Sequence, residues 1–180
     1  MSLPLDAREL AARAARVRLV AFDVDGVMTN GQLILGPAGE ELKVFHVRDG
    51  HGLVMLRESG LQVAVITGRR SPVVAERMAE LGIEHVYQGQ RDKLAALADL
   101  LARLGVGEAE TCYMGDDLPD LPVLRRVGLP ATVADGHPQC LAAAVWRATL
   151  AGGTGAVREL CEFILAAQGK LAAHFAAHDR

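Results

Sequence analysis

The sequence predicts an α/β fold, a Rossmann-like three-layer sandwich with a mainly parallel sheet and a protruding β-hairpin. Two observations lead to this prediction: short apolar runs of strand-forming residues alternate with segments of helical periodicity, and turn residues separate them. With 180 residues, of which 51% are hydrophobic, the chain is long enough to build a substantial core. We therefore expect one domain that spans residues 1–180.

Five apolar runs are predicted to form strands, at 17–22, 62–66, 85–87, 111–114 and 129–133. Leucines at 94, 97, 101 and 104 share one face of a predicted helix, and apolar residues between 157 and 165 form another such face. Strands that alternate with helices favour right-handed crossovers and a parallel sheet that is covered on both sides. The last segment, about 169–180, is rich in Ala and His and is predicted to be a fraying helical tail.

A β-hairpin over about 31–47 interrupts this alternation, directly after the first strand. Two runs that contain Leu33, Leu35, Val44 and Phe45 flank the Gly/Pro turn at 36–39. A two-stranded hairpin is marginally stable by itself in water. We therefore expect its apolar surface to pack on its own domain or on another subunit.

Composition excludes several classes of function. The chain has 19 basic and 22 acidic residues and a formal net charge of −3, which argues against a nucleic-acid partner. It has no apolar run of the roughly 18 residues that a membrane span requires, and its charged N-terminus is unlike a signal peptide. Its three cysteines are an odd number without CxxC spacing. We expect free thiols, a cytoplasmic protein and no membrane partner.

Polar residues follow the predicted strands at the points where the strands end. Asp23 and Asp25 follow the first strand and Thr67 follows the second, while Lys93 begins the helix after the third. The fourth strand leads into an acidic cluster of Asp116, Asp117 and Asp120. Ligands of open parallel sheets bind at the carboxyl ends of the strands. Crowded carboxylates require a cation, and oxygen ligands completed by water and phosphate favour Mg²⁺, which suits phosphoryl transfer.

The same residues, in this order, resemble the four motifs of the haloacid dehalogenase superfamily of phosphatases. The motifs are Asp23-x-Asp25-Gly26, Thr67, Lys93 and Gly115-Asp116-Asp117-x-x-Asp120. The stretches 49–52, 66–69, 88–89 and 152–159 further resemble the phosphatases of 3-deoxy-D-manno-octulosonate 8-phosphate (Kdo 8-phosphate). This resemblance runs from about Arg16 to about Leu165.

The resemblance implies a Mg²⁺-dependent phosphatase that forms an aspartyl-phosphate. Asp23 would be the nucleophile and Asp25 the general acid and base, and both carboxylates face one way in extended chain. Thr67 would bind a phosphoryl oxygen, and Lys93 would offset negative charge. Asp23, the Asp25 carbonyl and Asp116 would hold Mg²⁺. Asp117 and Asp120 are left with two alternatives, binding the ion through water or orienting Lys93 and the ligands.

Members of the superfamily often carry a cap domain, but the intervals 26–66 and 68–92 leave no room for one here. An uncapped site still needs a wall that excludes water. The similar phosphatases are tetramers in which the hairpin and C-terminal segment help to cover a neighbouring site. The resemblance therefore implies a homotetramer.

Substrate-binding residues are assigned from the same resemblance. A sugar-acid carboxylate suits a guanidinium, which points to Arg69 with Arg77 as support, beside Gly68. Thr29 and Asn30 follow the catalytic loop and are placed near the sugar hydroxyls. Arg69 and Glu80 favour Kdo 8-phosphate, in lipopolysaccharide precursor biosynthesis, over the sialic-acid-type 9-phosphates of related enzymes.

Two alternatives remain beside this assignment. One is a phosphatase for sialic-acid-type 9-phosphates or for another sugar phosphate. The more distant one is a receiver-like phospho-acceptor domain, which also pairs acids with a Thr and a Lys. Asp25 argues against a receiver, which does not need a general acid two residues after its nucleophile.

Overall fold

The computed structural model describes residues 6–177. Its helices are α1 (Ala7–Ala15), α2 (Val47–Glu58), α3 (Pro72–Glu80), α4 (Lys93–Leu104), α5 (Leu121–Leu124), α6 (Pro138–Ala143), α7 (Ala156–Ala167) and α8 (Leu171–Ala176). Its strands are β1 (Leu19–Phe22), β2 (Ile34–Leu35), β3 (Glu41–Leu42), β4 (Gln62–Ile66), β5 (His85–Tyr87), β6 (Thr111–Met114), β7 (Leu129–Thr132) and β8 (Trp146–Arg147). The five predicted strands all form, and β8 is an additional strand that the sequence did not predict.

Six of these strands make one parallel sheet in the order β5-β4-β1-β6-β7-β8. Strand β1 lies in the interior, with Leu19 aligned to Gln62 of β4 on one side and to Thr111 of β6 on the other. The chain leaves β1 towards β4 and β5 and later returns to its other side. A crevice therefore opens at the carboxyl end of β1, where strand order reverses.

The two faces of β1 feed two separate apolar layers. Val20 and Phe22 pack with residues of α2 and α7, whereas Leu19 and Ala21 pack with residues of α4 and α5. Since successive strand residues point to opposite faces, a strand that is buried on both sides must be apolar throughout. The predicted three-layer sandwich is confirmed, and residues 26–66 form the hairpin, α2 and β4 without an additional folded cap.

The hairpin forms with a shorter ladder than predicted. Ile34 pairs with Leu42 and Leu35 with Glu41, and the rest of the predicted segment 31–47 is irregular. Its apolar side chains stay exposed in the single chain, with Leu35 at 65% and Val44 at 63%. Two strands alone bury too little surface to cover these side chains.

The C-terminal segment is partly helical, as predicted. Helix α8 ends at Ala176, and His174 Nε2 lies 2.8 Å from Ser59 Oγ at the end of α2. The last three residues of the predicted tail, 178–180, lie outside the described residues. Across residues 6–177, no helix combines the length and the apolar character needed to cross a bilayer.

Candidate active site

The carboxyl ends of the strands bring the predicted site residues to one cavity of about 530 Å³. Asp23 and Asp25 come from the end of β1, Thr67 from the end of β4, and Asp116 from the end of β6. Lys93 reaches the same cavity from the first position of α4. Residues far apart in the chain thus surround a space large enough for a phosphoryl group and part of a sugar.

The ammonium group of Lys93 lies between two carboxylates. Its Nζ is 2.9 Å from Asp23 Oδ2 and 2.6 Å from Asp120 Oδ1, and its side chain is almost fully buried. Burial lowers the pKa of Lys93, but the charges of Asp23 and Asp120 outweigh burial and raise this pKa above its usual value. Lys93 is therefore a fixed positive charge beside the predicted nucleophile.

Asp120 is held on all sides by hydrogen bonds. Its Oδ1 accepts from Lys93 and from the hydroxyl of Tyr113 at 2.6 Å. Its Oδ2 accepts from the backbone N–H groups of Asp116 and Asp117, at 3.0 and 3.2 Å. The geometry thus matches the alternative in which Asp120 orients Lys93 and the acidic loop. Asp117 is exposed at the rim of the cavity.

Three carboxylates form a cluster that fits a divalent cation. One oxygen from each of Asp23, Asp116 and Asp120 can be chosen so that all lie within 4.8 Å of one another. The Oδ1 atoms of Asp23 and Asp116 are buried without a hydrogen-bond partner. Burial and the charge of Asp120 raise the pKa of Asp23 to about 6, despite the opposing charge of Lys93. Burial and then the charges of Asp23 and Asp120 raise the pKa of Asp116 to about 8.

Such an arrangement is unfavourable for carboxylates alone and favourable around a hard cation. With Asp120 occupied by Lys93 and Tyr113, Asp23 and Asp116 are the side chains whose free oxygens remain for an ion. These residues fit the predicted Mg²⁺ site.

Asp25 lies beside two cations, Arg69, which the sequence assigned to the site, and Lys43, which it did not. Lys43, from the hairpin, forms an ion pair with Asp25 Oδ1, and Arg69 Nε lies 3.8 Å from Asp25 Oδ2. Glu41 accepts from Arg69 Nη2 at 2.8 Å and lies 3.4 Å from Lys43 Nζ. Alternation along the hairpin places Glu41, Lys43 and Phe45 on one face, but it does not indicate that this face meets Asp25.

The predicted substrate-binding residues occupy different places. Gly68 and Arg69 line the cavity, and the Arg69 side chain is 48% exposed. Thr29 is buried, and its hydroxyl accepts from the backbone N–H of Gly31. Asn30 is exposed, and its amide donates to Gln32 Oε1. Arg77 lies away from the cavity, donates to Glu80 at 2.6 Å and packs over Gly50.

A glycine-rich turn at 152–155 packs against the catalytic loop, the segment 23–30 that follows β1. A Cβ on Gly152 would lie 1.8 Å from the carbonyl oxygen of Gly26, and one on Gly153 would lie 2.5 Å from the carbonyl carbon of Thr29. The next helix, α7, begins here, and Asp49 of α2 accepts from the N–H groups of Gly155 and Arg158. A carboxylate at a helix N-terminus satisfies free N–H groups and complements the helix dipole.

Comparison with known proteins identifies the family. A family model described as haloacid dehalogenase-like hydrolase matches residues 76–155. The chain is 48% identical over 163 residues to the 3-deoxy-D-manno-octulosonate 8-phosphate phosphatase of Escherichia coli (strain K12). The aligned residues make up 91% of this chain and 87% of that protein. The chain belongs to this phosphatase family. The same enzyme of Yersinia pestis is 50% identical over 165 residues, 92% of this chain and 88% of that protein.

Solved structures confirm the haloacid dehalogenase-like fold. A Kdo 8-phosphate phosphatase from Moraxella catarrhalis, described as a complex with magnesium ion, phosphate ion and KDO, superposes with a TM-score of 0.95. It is 44% identical and covers 97% of this chain and 100% of that chain. The cobalt-bound form of the deoxy-D-mannose-octulosonate 8-phosphate phosphatase from Haemophilus influenzae superposes with a TM-score of 0.88 and is 41% identical. The match covers 92% of this chain and 97% of that chain. The likeness spans the hairpin and the site, not the sheet alone.

Proposed function

We propose that this protein hydrolyses Kdo 8-phosphate to Kdo and inorganic phosphate, with Mg²⁺ as cofactor. The observation that carries the proposal is the convergence of Asp23, Thr67, Lys93 and Asp116 on one cavity in a chain of this phosphatase family. The relatives that share about half of its sequence are named for this reaction.

In the first step, a carboxylate oxygen of Asp23 attacks phosphorus, and the bond from phosphorus to the sugar oxygen breaks. Asp25 gives its proton to the departing sugar oxygen. The hydroxyl of Thr67 donates to a phosphoryl oxygen, and Lys93 lies 2.9 Å from Asp23 Oδ2, where negative charge collects.

In the second step, water attacks the phosphorus of the aspartyl-phosphate. Asp25, now ionised, takes a proton from this water, and the bond from phosphorus to Asp23 breaks. Inorganic phosphate leaves and the Asp23 carboxylate is restored. Asp25 thus ends the cycle with the proton that it had at the start.

Asp23 and Asp116, with the backbone carbonyl of Asp25, are the residues that we expect to hold Mg²⁺. When bound, the ion neutralises charge on the phosphate and on the clustered carboxylates. The unpartnered oxygens of Asp23 and Asp116 support this assignment.

Arg69 is our candidate for binding the carboxylate of the sugar acid. Its guanidinium lines the cavity and is half-exposed, so it is accessible to an entering anion. Gly68 lies beside Arg69 on the wall of the cavity. Thr29, Asn30 and Arg77 do not line this cavity, so they would contact only a part of the sugar that extends outside it.

We further propose a homotetramer in which the hairpin covers the site of another subunit. Six large apolar side chains support it, all exposed along the hairpin and its return to α2: Leu33, Ile34, Leu35, Leu42, Val44 and Val47. So many exposed large apolar side chains in one short segment are typical of protein interfaces.

We also propose a cytoplasmic location and a role in lipopolysaccharide precursor biosynthesis. Cys112, Cys140 and Cys161 are free and buried, which suits a reducing compartment. Kdo as the product supports the biosynthetic role.

A panel of phosphate esters tests the proposed reaction. Purified protein is assayed for phosphate release from Kdo 8-phosphate, a sialic acid 9-phosphate and common hexose phosphates, each with Mg²⁺ and with EDTA. We expect a preference for Kdo 8-phosphate that EDTA abolishes and Mg²⁺ restores. Preference for the nine-carbon ester would overturn the substrate, and no turnover of any ester would overturn the enzyme function and revive a receiver-like role.

A further inference from the structure

The return limb of the hairpin presents two different faces. Glu41, Lys43 and Phe45 turn inward, whereas Leu42 and Val44 stay exposed. This period of two follows from extended backbone. Phe45 packs against the main apolar core, so the inner face is anchored near the site.

Lys43 is unusually deeply buried for a hairpin lysine. Its side chain is 1% exposed, and its ammonium group pairs with Asp25 and with Glu41. Taking a lysine out of water is costly unless its charge is paired. A solvent-facing lysine would support the hairpin at a lower cost, which indicates that the charge serves the site.

The two oxygens of Asp25 have different environments. Oδ1 accepts from Lys43 Nζ, whereas Oδ2 has Arg69 Nε at 3.8 Å, beyond hydrogen-bond distance. Glu41 holds both cations, through Arg69 Nη2 at 2.8 Å and Lys43 Nζ at 3.4 Å. One oxygen of Asp25 is thus committed, and the other is available for a proton.

We propose that Lys43 is a positioning residue for proton transfer by Asp25. It fixes Oδ1, so Oδ2 gives its proton to the sugar oxygen as the bond from that oxygen to phosphorus breaks. Oδ2 then takes a proton from the water that attacks the aspartyl-phosphate. The proposal rests on the proposed function, because it concerns the same two steps.

The leaving group distinguishes this role from a structural one. A sugar alkoxide needs a proton as it departs, whereas p-nitrophenolate is stable without one. We expect Lys43→Met to slow phosphoenzyme formation from Kdo 8-phosphate by about 100-fold and from p-nitrophenyl phosphate by less than about 3-fold. Hydrolysis of the phosphoenzyme should be slow with both esters, so p-nitrophenyl phosphate should give a burst of p-nitrophenolate. Rapid-quench kinetics measure each step.

Three further variants complete the experiment. Lys170→Met is the matched control. The Nζ of Lys170 donates to the carbonyl of Ser59, which precedes β4, whereas the site lies where β4 ends. Lys43→Arg keeps the charge and should restore part of the lost rate. The double variant with Lys43→Met and Asp25→Asn should be no slower than Asp25→Asn alone. Each substitution removes the same interaction, the one between Lys43 and Asp25, so the second has nothing further to remove.

Several results would overturn the proposal. Equal slowing of phosphoenzyme formation with both esters would place Lys43 on the phosphoryl group, and a raised KM with unchanged kcat would make it a substrate ligand. Should Lys43→Met not fold, Lys43→Arg is compared with wild type, and an effect independent of the leaving group again contradicts the role. If wild-type protein releases inorganic phosphate from neither ester, the proposed function itself fails.

Discussion

At the scale of single residues, the site is defined by an excess of negative charge. Lys93 contacts Asp23 and Asp120, and Asp116 adds a third carboxylate to the cluster. One ammonium group cannot neutralise three carboxylates, and burial makes the remaining charge costly. The raised pKa values of Asp23 and Asp116 express this cost.

Replacing the nucleophile tests the chemistry most directly. Asp23→Asn should lower turnover of Kdo 8-phosphate by about 10⁴-fold or more, because an amide does not form the acyl-phosphate. Phosphate release and acid-quenched phosphoenzyme measure the effect. Asp99→Asn, on an exposed carboxylate that accepts from Tyr87, is the control and should keep full activity. Phosphoenzyme in Asp23→Asn would assign the nucleophile to another residue.

The free energy of unfolding of the metal-free protein should fall as pH rises. Burial raises the pKa of Asp23 to about 6 and that of Asp116 to about 8, well above their usual values near 4. Between about pH 4 and pH 8, the folded protein therefore holds protons that the unfolded chain has released, and each rise in pH favours unfolding. Urea titrations in EDTA from pH 5 to pH 8 measure this slope.

Mg²⁺ provides the companion measurement. Since it offsets the charge of ionised carboxylates, its stabilisation should grow with pH and be largest near pH 8. Asp116→Asn should flatten the slope in EDTA and reduce the Mg²⁺ effect. Stability that is constant or increasing between pH 5 and pH 8 without metal would contradict the charge cluster as described.

At the scale of elements, the catalytic loop depends on parts of the chain that do no chemistry. The turn at 151–155 packs on the loop that follows β1, and Asp49 of α2 holds the start of α7. Helices α2 and α7 also pack together in the main core. The position of the loop is thus fixed by backbone contacts between distant elements.

Gly152→Ala should disrupt this contact. The added Cβ would lie 1.8 Å from the Gly26 carbonyl oxygen and 2.6 Å from its carbon, so one of the two backbones must move. We expect a loss of about 2 kcal/mol in the free energy of unfolding and a lower kcat. Gly107→Ala is the matched control, since its Cβ would meet only Glu110 Oε2 at 3.6 Å. Equal stability of the two variants in urea titrations would contradict the close packing.

At the scale of the whole molecule, the hairpin is the part that one chain leaves unfinished. Its inner face belongs to the site, whereas its outer face exposes Ile34, Leu42 and Val44 to solvent. A second chain that covers this face would remove apolar surface from water.

Leu42→Gln together with Val44→Gln should convert a tetramer into smaller species. Both side chains point away from the described core, so the fold should persist while the interface loses apolar contact. Light scattering and circular dichroism measure the two properties. Arg103→Gln, on an exposed helix surface, serves as the control. A wild-type protein that is monomeric and fully active would refute the shared-site assembly.

The sequence predicted the sheet because its strands are buried on both faces and are therefore apolar, throughout in β1 and from Val63 onwards in β4. Strand β8 was missed because two residues, Trp146 and Arg147, are too short a run for any periodicity to show. The ladder of the hairpin was predicted too long, because its apolar residues were taken as strand, whereas only two pairs form and most of these side chains are exposed.

Motif spacing predicted the site at three strand ends and one helix start, since its acidic residues and Thr67 follow apolar runs and Lys93 begins α4. Lys43 and Glu41 escaped it because they reach Asp25 through the fold of the hairpin, which no spacing in the sequence records. Arg77 is the opposite case, a residue that was assigned to the site but lies outside it. Its position on a helix did not establish where its side chain points, and that side chain pairs with Glu80.

The backbone contact between Gly152 and Gly26 has a consequence for synthesis. Residues 26–30 are synthesised early, but the turn at 151–155 that packs on them is synthesised only after most of the polypeptide has been translated. A nascent chain that is stalled before codon 152 would contain every motif of the catalytic centre but would lack the turn that holds the loop after β1 in place. Activity should therefore appear late in translation and abruptly.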